Sequence, residues 1–418
     1  MTFNPFKEKG VLKDEFFINW NNMYPKSYDK NEVDPYTRTR IILMNGTEFE
    51  SNWFMHQFSR HCSNNELRRD LALVRRNEQQ QQKKIACLKP IDESVLETTI
   101  GYEQLAVDLT AALAKMEPNE YVKQILDFAL LEDFDHLYRF SDLLENDAGI
   151  HAERLVGKYT EIMPGRPTIA EHRHPNDDIR YWVDYKKADP RTKLHIGIIT
   201  AAEQQTMNYY MNLGTFYHND YGRKLFQEIG MIEEQHVSGY GSLMDPTTTW
   251  LECLLLHEYT ECYLYYSCML TETHSKIKKL WEENLTQELA HLHLAAKLLE
   301  KYENRTWEDV FTCGGDFPDI LVLESNKDYV REVLENTVRN TSNQEEVVEL
   351  TDLPENHEYF KYQSIVNDPV RSVPSHDVIS NYIKKNGKDY RYQEGPHPIK
   401  ELDNREKDNT EVGRVPGK

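Results

Sequence analysis

The sequence predicts an all-α protein made of four helical hairpins, arranged as two tandem bundles and followed by an extended C-terminal tail. Three observations predict this fold. The chain repeats itself at a fixed interval, acidic residues recur at a constant spacing within the repeat, and turn-forming residues lie midway between them. An internal repeat of this kind indicates that the same supersecondary unit is used more than once.

The longer repeat relates residues 34–145 to residues 189–300, which lie 155 positions later. No gap is needed to align the two segments. Between residues 95 and 145 about a quarter of the positions are identical to their counterparts, and Leu-Leu-Glu at 143–145 recurs at 298–300. The match indicates an internal duplication of the chain.

A shorter period lies within each half. A glutamate is followed 30 positions later by an acidic residue, and three positions after that by His or Gln. The unit E-x29-[ED]-x-x-[HQ] therefore occurs four times. Its members are Glu48, Glu78 and Gln81; Glu103, Asp133 and His136; Glu203, Glu233 and His236; and Glu258, Glu288 and His291.

Each unit is typical of an antiparallel helical hairpin. The four midpoints fall at residues 62–65, 117–119, 218–220 and 273–275, where turn and capping residues are concentrated. Two helices of equal length on either side of a turn bring both acidic residues to the same depth. Residues three apart share one helical face, so the second acid and the histidine of a unit can point at one spot.

Helix starts are marked at equivalent places in the two halves. Asp34 and Asp189 each precede a proline, as an N-cap residue precedes Pro at the first helical position. Capping boxes begin at Ser94 and Thr249. We expect the glutamates of these boxes to cap helices rather than to bind a ligand.

The second half is expected to hold a two-metal centre. Burying four carboxylates without compensation would be very costly, and two divalent cations supply the compensation. Carboxylates combined with imidazoles suit iron or manganese better than a metal that prefers thiolates. The expected ligands are Glu203, Glu233, His236, Glu258, Glu288 and His291, and Glu261, one turn after Glu258, is either an extra ligand or an exposed residue.

This pattern resembles the ferritin-like di-iron carboxylate proteins, in which two helices each give a Glu and two others give Glu-x-x-His. That group includes bacterioferritins, rubrerythrins, ribonucleotide reductase small subunits and bacterial multicomponent monooxygenases. The resemblance covers residues 34–300. The family usually joins its two hairpins by a long crossover, whereas in this sequence Glu258 follows His236 without one. The alternative is that a hairpin of one half completes its site with a hairpin of the other half.

The first half departs further from the pattern. Gln81 stands where His is expected, and Asp133 replaces Glu. A degenerate bundle without metal is therefore favoured over a second, weaker metal site. That second site would comprise Glu48, Glu78, Gln81, Glu103, Asp133 and His136.

The resemblance implies a di-iron oxidoreductase that activates dioxygen or peroxide on a substrate that the sequence does not identify. The alternatives are an iron storage or sequestration protein and a scaffold subunit with a vestigial site. Two iron ions are the expected cofactors, with manganese or a mixed manganese–iron pair as the alternative. Tyr209 or Tyr210 could lie near the metals, and electrons would come from an external donor or from the substrate itself.

The expected organisation is an arm at 1–33, bundles at 34–150 and 189–303, a linker at 151–188, and a helix with an acidic tail at 304–418. The formal net charge of −21 disfavours nucleic acid as a partner. No apolar run is long enough to span a bilayer, and the first residues do not resemble a secretory signal. We therefore expect a cytoplasmic protein that does not bind membranes, and a homodimer is left open.

Overall fold

The computed structural model describes residues 3–11, 17–166, 168–369, 372–391 and 395–403. The structure is mostly helical, as the sequence predicts. Its helices are α1 (Pro35–His61), α2 (Asn65–Ala86), α3 (Val95–Met116), α4 (Glu120–Ala148), α5 (Glu153–Val156), α6 (Thr168–Glu171), α7 (Pro190–Leu213), α8 (Asp220–Ser242), α9 (Trp250–Thr271), α10 (Ser275–Glu303), α11 (Lys327–Thr337), α12 (Glu358–Val366) and α13 (Pro374–Asn386). None of these helices is both long and apolar enough to cross a membrane. The ends of the expected arm and tail, residues 1–2 and 404–418, lie outside the described residues.

The predicted turns lie between the helices of each hairpin, so that α1–α2, α3–α4, α7–α8 and α9–α10 are the four hairpins. The predicted caps are also present. The Asp34 side chain accepts a hydrogen bond from the backbone N–H of Tyr36 at 2.8 Å. Ser94 and Thr249 each open a complete capping box. The helix boundaries therefore follow from local sequence signals.

The chain divides into two compact units, and this division differs from the expected tandem bundles at 34–150 and 189–303. Unit 1 consists of Met1–Glu93, Trp182–Ala202 and Met244–Val322, and unit 2 consists of Ser94–Tyr181, Glu203–Leu243 and Leu323–Lys418. Unit 1 thus combines hairpin α1–α2 with α9–α10, and unit 2 combines α3–α4 with α8 and the second part of α7. The physical reason is that a hairpin buries its apolar face against any complementary hairpin within reach of its connections.

In unit 1 the expected N-terminal arm packs against the helices. The ring of Phe3 stacks on Tyr266 with 4.3 Å between centroids, and the ring of Phe6 stacks on Trp307 at 4.2 Å. A Cβ atom at Gly10 would lie 2.5 Å from the backbone nitrogen of Ala290. Glycine is therefore required where the arm crosses α10.

In unit 2 the C-terminal segment is folded onto the helices. A two-stranded antiparallel hairpin of β1 (Asn340–Asn343) and β2 (Glu346–Glu349) follows α11. α11 packs against α4, and α13 packs against α4 and α8. The expected helix after residue 303 is thus α11, but the described part of the expected extended tail forms further helices and a hairpin. The expected linker at 151–188 likewise carries α5 and α6, and it is buried along residues 160–166.

Candidate metal centres

Each unit buries one cluster of carboxylates and imidazoles. Within each cluster the ligand atoms form two groups, and the atoms of a group lie within 4.8 Å of one another. In unit 2 the first group is Asp133, Glu203, Glu233 and His236, and the second group is Glu103, His136 and Glu233. In unit 1 the first group is Glu78, Glu258, Glu288 and His291, and the second group is Glu48, Glu78 and Glu261. The two groups of a unit share one carboxylate, Glu233 in unit 2 and Glu78 in unit 1. A shared carboxylate is suited to bridge two metal ions.

The six ligands expected from the second half do not form one cluster. The set Glu203, Glu233 and His236 lies in unit 2, whereas Glu258, Glu288 and His291 lie in unit 1. Each set is completed by acidic residues of the first half. This grouping corresponds to the alternative in which a hairpin of one half completes its site with a hairpin of the other half. The first half, expected to be a separate degenerate bundle, supplies part of both clusters.

In unit 2 the shared carboxylate of Glu233 lies between two imidazoles. Nδ1 of His136 is 3.0 Å from Glu233 Oε1, and Nδ1 of His236 is 3.4 Å from Glu233 Oε2. Nδ1 of His236 is also 3.3 Å from Asp133 Oδ1. All four side chains are at most 3% exposed. Both rings therefore present Nδ1 to the cluster.

The other nitrogen of each ring faces a second carboxylate. Nε2 of His236 is 2.7 Å from Glu132 Oε2, and Nε2 of His136 is 3.4 Å from Glu171 Oε2. Histidines that bind metals usually have their second nitrogen held in this way, which fixes the ring and raises its basicity. The arrangement leaves Nδ1 of each ring available toward the cluster.

Two buried arginines surround Glu132. Nη1 of Arg166 is 3.0 Å from Glu132 Oε1, and Arg173 forms an ion pair with the same oxygen. Although burial alone would raise the pKa of Glu132, the charges of Arg173 and His236 hold it well below its usual range. Glu132 is therefore ionised and can accept the proton of His236 Nε2.

Three of these surrounding residues were not identified from the sequence. Arg166, Glu171 and Arg173 lie in the segment expected to be a linker, and they are between 0% and 3% exposed. Glu132 is adjacent to a predicted ligand, but its counterpart in the repeat, Gln287, is not acidic. No spacing in the sequence relates the charged residues at 166–173 to the repeat.

Several carboxylate oxygens of the unit 2 cluster make no hydrogen bond. Neither oxygen of Glu203 makes a hydrogen bond, and neither do Oδ1 of Asp133 and Oε2 of Glu103. Burial and the charge of Glu233 raise the pKa of Asp133 to about 7. Burial and the charge of Asp133 raise the pKa of Glu203 well above its usual range. Cations in this cluster would satisfy these oxygens.

Of the two predicted tyrosines, Tyr210 contacts the cluster and Tyr209 does not. The hydroxyl of Tyr210 donates a hydrogen bond to Oε1 of Glu103. Burial and the charge of Glu103 raise the Tyr210 pKa well above its usual range, so the hydroxyl stays protonated. The ring of Tyr209 stacks on Tyr102 at 4.4 Å, and its hydroxyl donates to the Val95 carbonyl at 3.3 Å.

The cluster of unit 1 contains one imidazole. Nδ1 of His291 lies 2.8 Å from Glu78 Oε1 and 3.0 Å from Glu288 Oε2. Gln81 occupies the position of a second histidine and donates to Glu288 Oε1 at 2.5 Å. Glu261, for which exposure was the alternative expectation, is fully buried and belongs to the group around Glu48.

Comparisons of the chain with protein-family models, with curated proteins and with solved structures gave no match.

Proposed function

We propose that unit 2 holds a two-metal centre and that the chain is a carboxylate-bridged di-iron oxidoreductase acting with dioxygen or peroxide. The observation that carries this proposal is the sharing of Glu233 by two ligand groups, one containing His236 and the other His136. A carboxylate within reach of two ligand sets is the arrangement that a bridged metal pair requires.

The donor atoms support iron as the metal. The groups of unit 2 contain carboxylates and imidazoles and no thiolate. Such a set favours iron or manganese over metals that prefer sulfur. The ferritin-like di-iron proteins use two glutamates and two Glu-x-x-His pairs from four helices. In unit 2 the same set comes from α3, α4, α7 and α8, with Asp133 in place of one glutamate.

Two iron ions held there would supply electrons for the reduction of dioxygen or peroxide. The residues of this chain would prepare the centre for that chemistry. Glu132, kept ionised by Arg166 and Arg173, holds a proton on Nε2 of His236 and fixes the ring. Tyr210 orients Glu103 through its hydroxyl. The burial of the ligands excludes water, which strengthens the electrostatic interactions in the centre.

The test is anaerobic loading of the purified chain with ferrous iron, followed by exposure to dioxygen and absorption spectroscopy. Two neighbouring residues of α8 provide matched variants, because Glu233 is buried in the cluster and Glu234 is exposed. We expect Glu233→Gln to lose about two bound irons per chain and the oxygen-dependent absorption change. Glu234→Gln should retain both.

Other outcomes would contradict the proposal in different ways. Equal iron content in Glu233→Gln and Glu234→Gln would show that unit 2 holds no bridged pair, as a scaffold subunit would. Uptake of many irons per chain, with a mineral-like absorption spectrum, would indicate iron storage instead of an oxidoreductase.

A further inference from the structure

The two clusters differ at two positions that the repeat relates to each other. Gln81 of unit 1 corresponds to His236 of unit 2, and Glu261 of unit 1 corresponds to Ala106 of unit 2, each 155 positions apart. Unit 1 therefore has one imidazole fewer and one carboxylate more than unit 2. Since both changes lie on the faces that carry the ligands, they alter the donor set of unit 1.

The amide nitrogen of Gln81, and not its oxygen, faces the cluster. Its Nε2 donates to Glu288 Oε1 at 2.5 Å, and its Oε1 faces Nδ2 of Asn77 at 3.5 Å. The reverse orientation would place the amide oxygen against the carboxylate oxygen. The amide thus presents a hydrogen-bond donor, with no lone pair, to the position that His236 occupies in unit 2.

Glu261 is buried among carboxylates and lacks a hydrogen-bonding partner. The side chain is 0% exposed, and neither of its oxygens makes a hydrogen bond. One of its oxygens lies within 4.8 Å of ligand atoms of Glu48 and Glu78. Nε2 of His257 is 3.7 Å from Glu261 Oε1, whereas Nδ1 of the same ring pairs with Glu50 Oε2 at 3.1 Å. Three buried carboxylates that converge in this way require a positive charge.

The single imidazole of the unit 1 cluster, His291, has a different hydrogen-bonding partner from the imidazoles of unit 2. Nε2 of His291 is 3.0 Å from the side-chain amide of Asn77, whereas the equivalent nitrogens of unit 2 face Glu132 and Glu171. The amide nitrogen can only donate to this ring nitrogen, so it does not raise the basicity of the imidazole as a carboxylate acceptor does. Unit 1 therefore depends more on oxygen ligands than unit 2.

We propose that Glu48, Glu78 and Glu261 of unit 1 bind a hard divalent cation of the manganese(II) class, with Glu261 replacing the imidazole that is missing at Gln81. Donor sets made of oxygen alone favour manganese, magnesium and calcium over metals that prefer nitrogen or sulfur. The shared carboxylate of Glu78 joins this position to the group that contains His291. The proposal concerns unit 1 and does not depend on oxygen chemistry in unit 2.

The experiment uses the full chain carrying Glu233→Gln, so that the proposed centre of unit 2 is disabled. The metal-free protein is titrated with Mn²⁺ alone, and free Mn²⁺ is measured by its electron paramagnetic resonance signal. We expect Glu261→Gln to lose one Mn²⁺ or to bind it at least about tenfold more weakly. The matched control is Glu282→Gln, which removes the same charge from an exposed position on α10. Equal binding by both variants would overturn the proposal.

A stability measurement separates metal binding from a structural role. Glu261 is buried beside Glu48 and Glu78, and neither of its oxygens makes a hydrogen bond, so this carboxylate destabilises the metal-free fold. Glu261→Gln should therefore raise the melting temperature of the metal-free chain while it weakens Mn²⁺ binding. A lower melting temperature with unchanged Mn²⁺ binding would show that Glu261 is only structural.

A second variant tests the same proposed metal site by restoring the missing imidazole. Gln81→His restores the imidazole, and it should shift the preference from Mn²⁺ toward Zn²⁺ by about tenfold or more in competition. An unchanged preference would contradict the proposal. This variant decides the question if Glu261→Gln does not fold.

Discussion

Nε2 of His236 lies 2.7 Å from Oε2 of Glu132, and Glu132 is also paired with Arg166 and Arg173. A chain of charges thus runs from two buried arginines through a carboxylate to an imidazole of the ligand cluster. The arginines keep Glu132 ionised, and Glu132 in turn fixes the proton and the orientation of the ring.

Removing the charge of Glu132 should weaken metal binding in unit 2. In the repeat Glu132 corresponds to Gln287, so a glutamine at this position is compatible with the helix. We expect Glu132→Gln to lower the affinity of unit 2 for ferrous iron by about 10–100-fold, because the imidazole becomes less basic and less fixed. Competition with a chelator measures this affinity. The same affinity as in the parent chain would show that Glu132 does not support the ligand.

Replacing Tyr210 should alter the reaction of bound iron without removing the iron. Tyr210→Phe deletes the hydroxyl that donates to Glu103, so this carboxylate is free to change its position. We expect the same iron content and an altered rate of iron oxidation by dioxygen in stopped-flow absorption measurements. The control is Tyr209→Phe, because Tyr209 stacks on Tyr102 away from the cluster. Identical effects of both variants would contradict a specific role of Tyr210.

The metal-free chain should become less stable as the pH rises. In the folded chain burial raises the pKa of Asp133 from its ordinary value of 3.8 to about 7. Burial likewise raises the pKa of Glu171 from its ordinary value of 4.5 to about 8. The folded state therefore holds protons that the unfolded state has released, and rising pH between about 4 and 8 favours unfolding.

Metal binding should reverse this dependence, because a cation replaces the protons on the ligands. The melting temperature of the metal-free chain should fall between about pH 5.5 and about pH 8, and added Fe²⁺ under anaerobic conditions should raise it more at the higher pH. A metal-free chain that becomes more stable over this range would contradict the assignment.

The C-terminal segment should contribute to the stability of unit 2 through Arg391. Its guanidinium lies 2.7 Å from Asp142 and 2.7 Å from Glu145, and its side chain is 0% exposed. Arg391→Ala leaves buried carboxylates without their partner and should cost about 3–5 kcal/mol of unfolding free energy. Denaturant unfolding measures this loss. Lys384→Ala, at an exposed position of α13, should change it little.

The hairpins could be predicted from the sequence because their signals are local. The acidic spacing, the turn residues between the helices and the capping boxes at Ser94 and Thr249 all act within a few residues of one another. These signals fix where each helix begins and ends. They also place each acidic residue at the level of its partner within one hairpin.

The pairing of the hairpins could not be predicted in the same way. The duplication makes the four hairpins similar, so the spacing alone does not specify which hairpin packs against which. Asp133 is an example. Its shorter side chain indicates a degenerate site in the first half, but Oδ1 of Asp133 lies 3.3 Å from Nδ1 of His236 in the second half. The burial of Arg166 and Arg173 depends on long-range packing, for which the sequence carries no periodic signal.

The central claim is that unit 2 holds two metals bridged by Glu233, and a crystal structure of the iron-loaded chain tests it most directly. Anomalous scattering measured at the iron absorption edge locates the metals without assumptions about the ligands. We expect two anomalous peaks on either side of the Glu233 carboxylate, one beside His136 and the other beside His236. Iron-loaded crystals without anomalous peaks at Glu233 would contradict it.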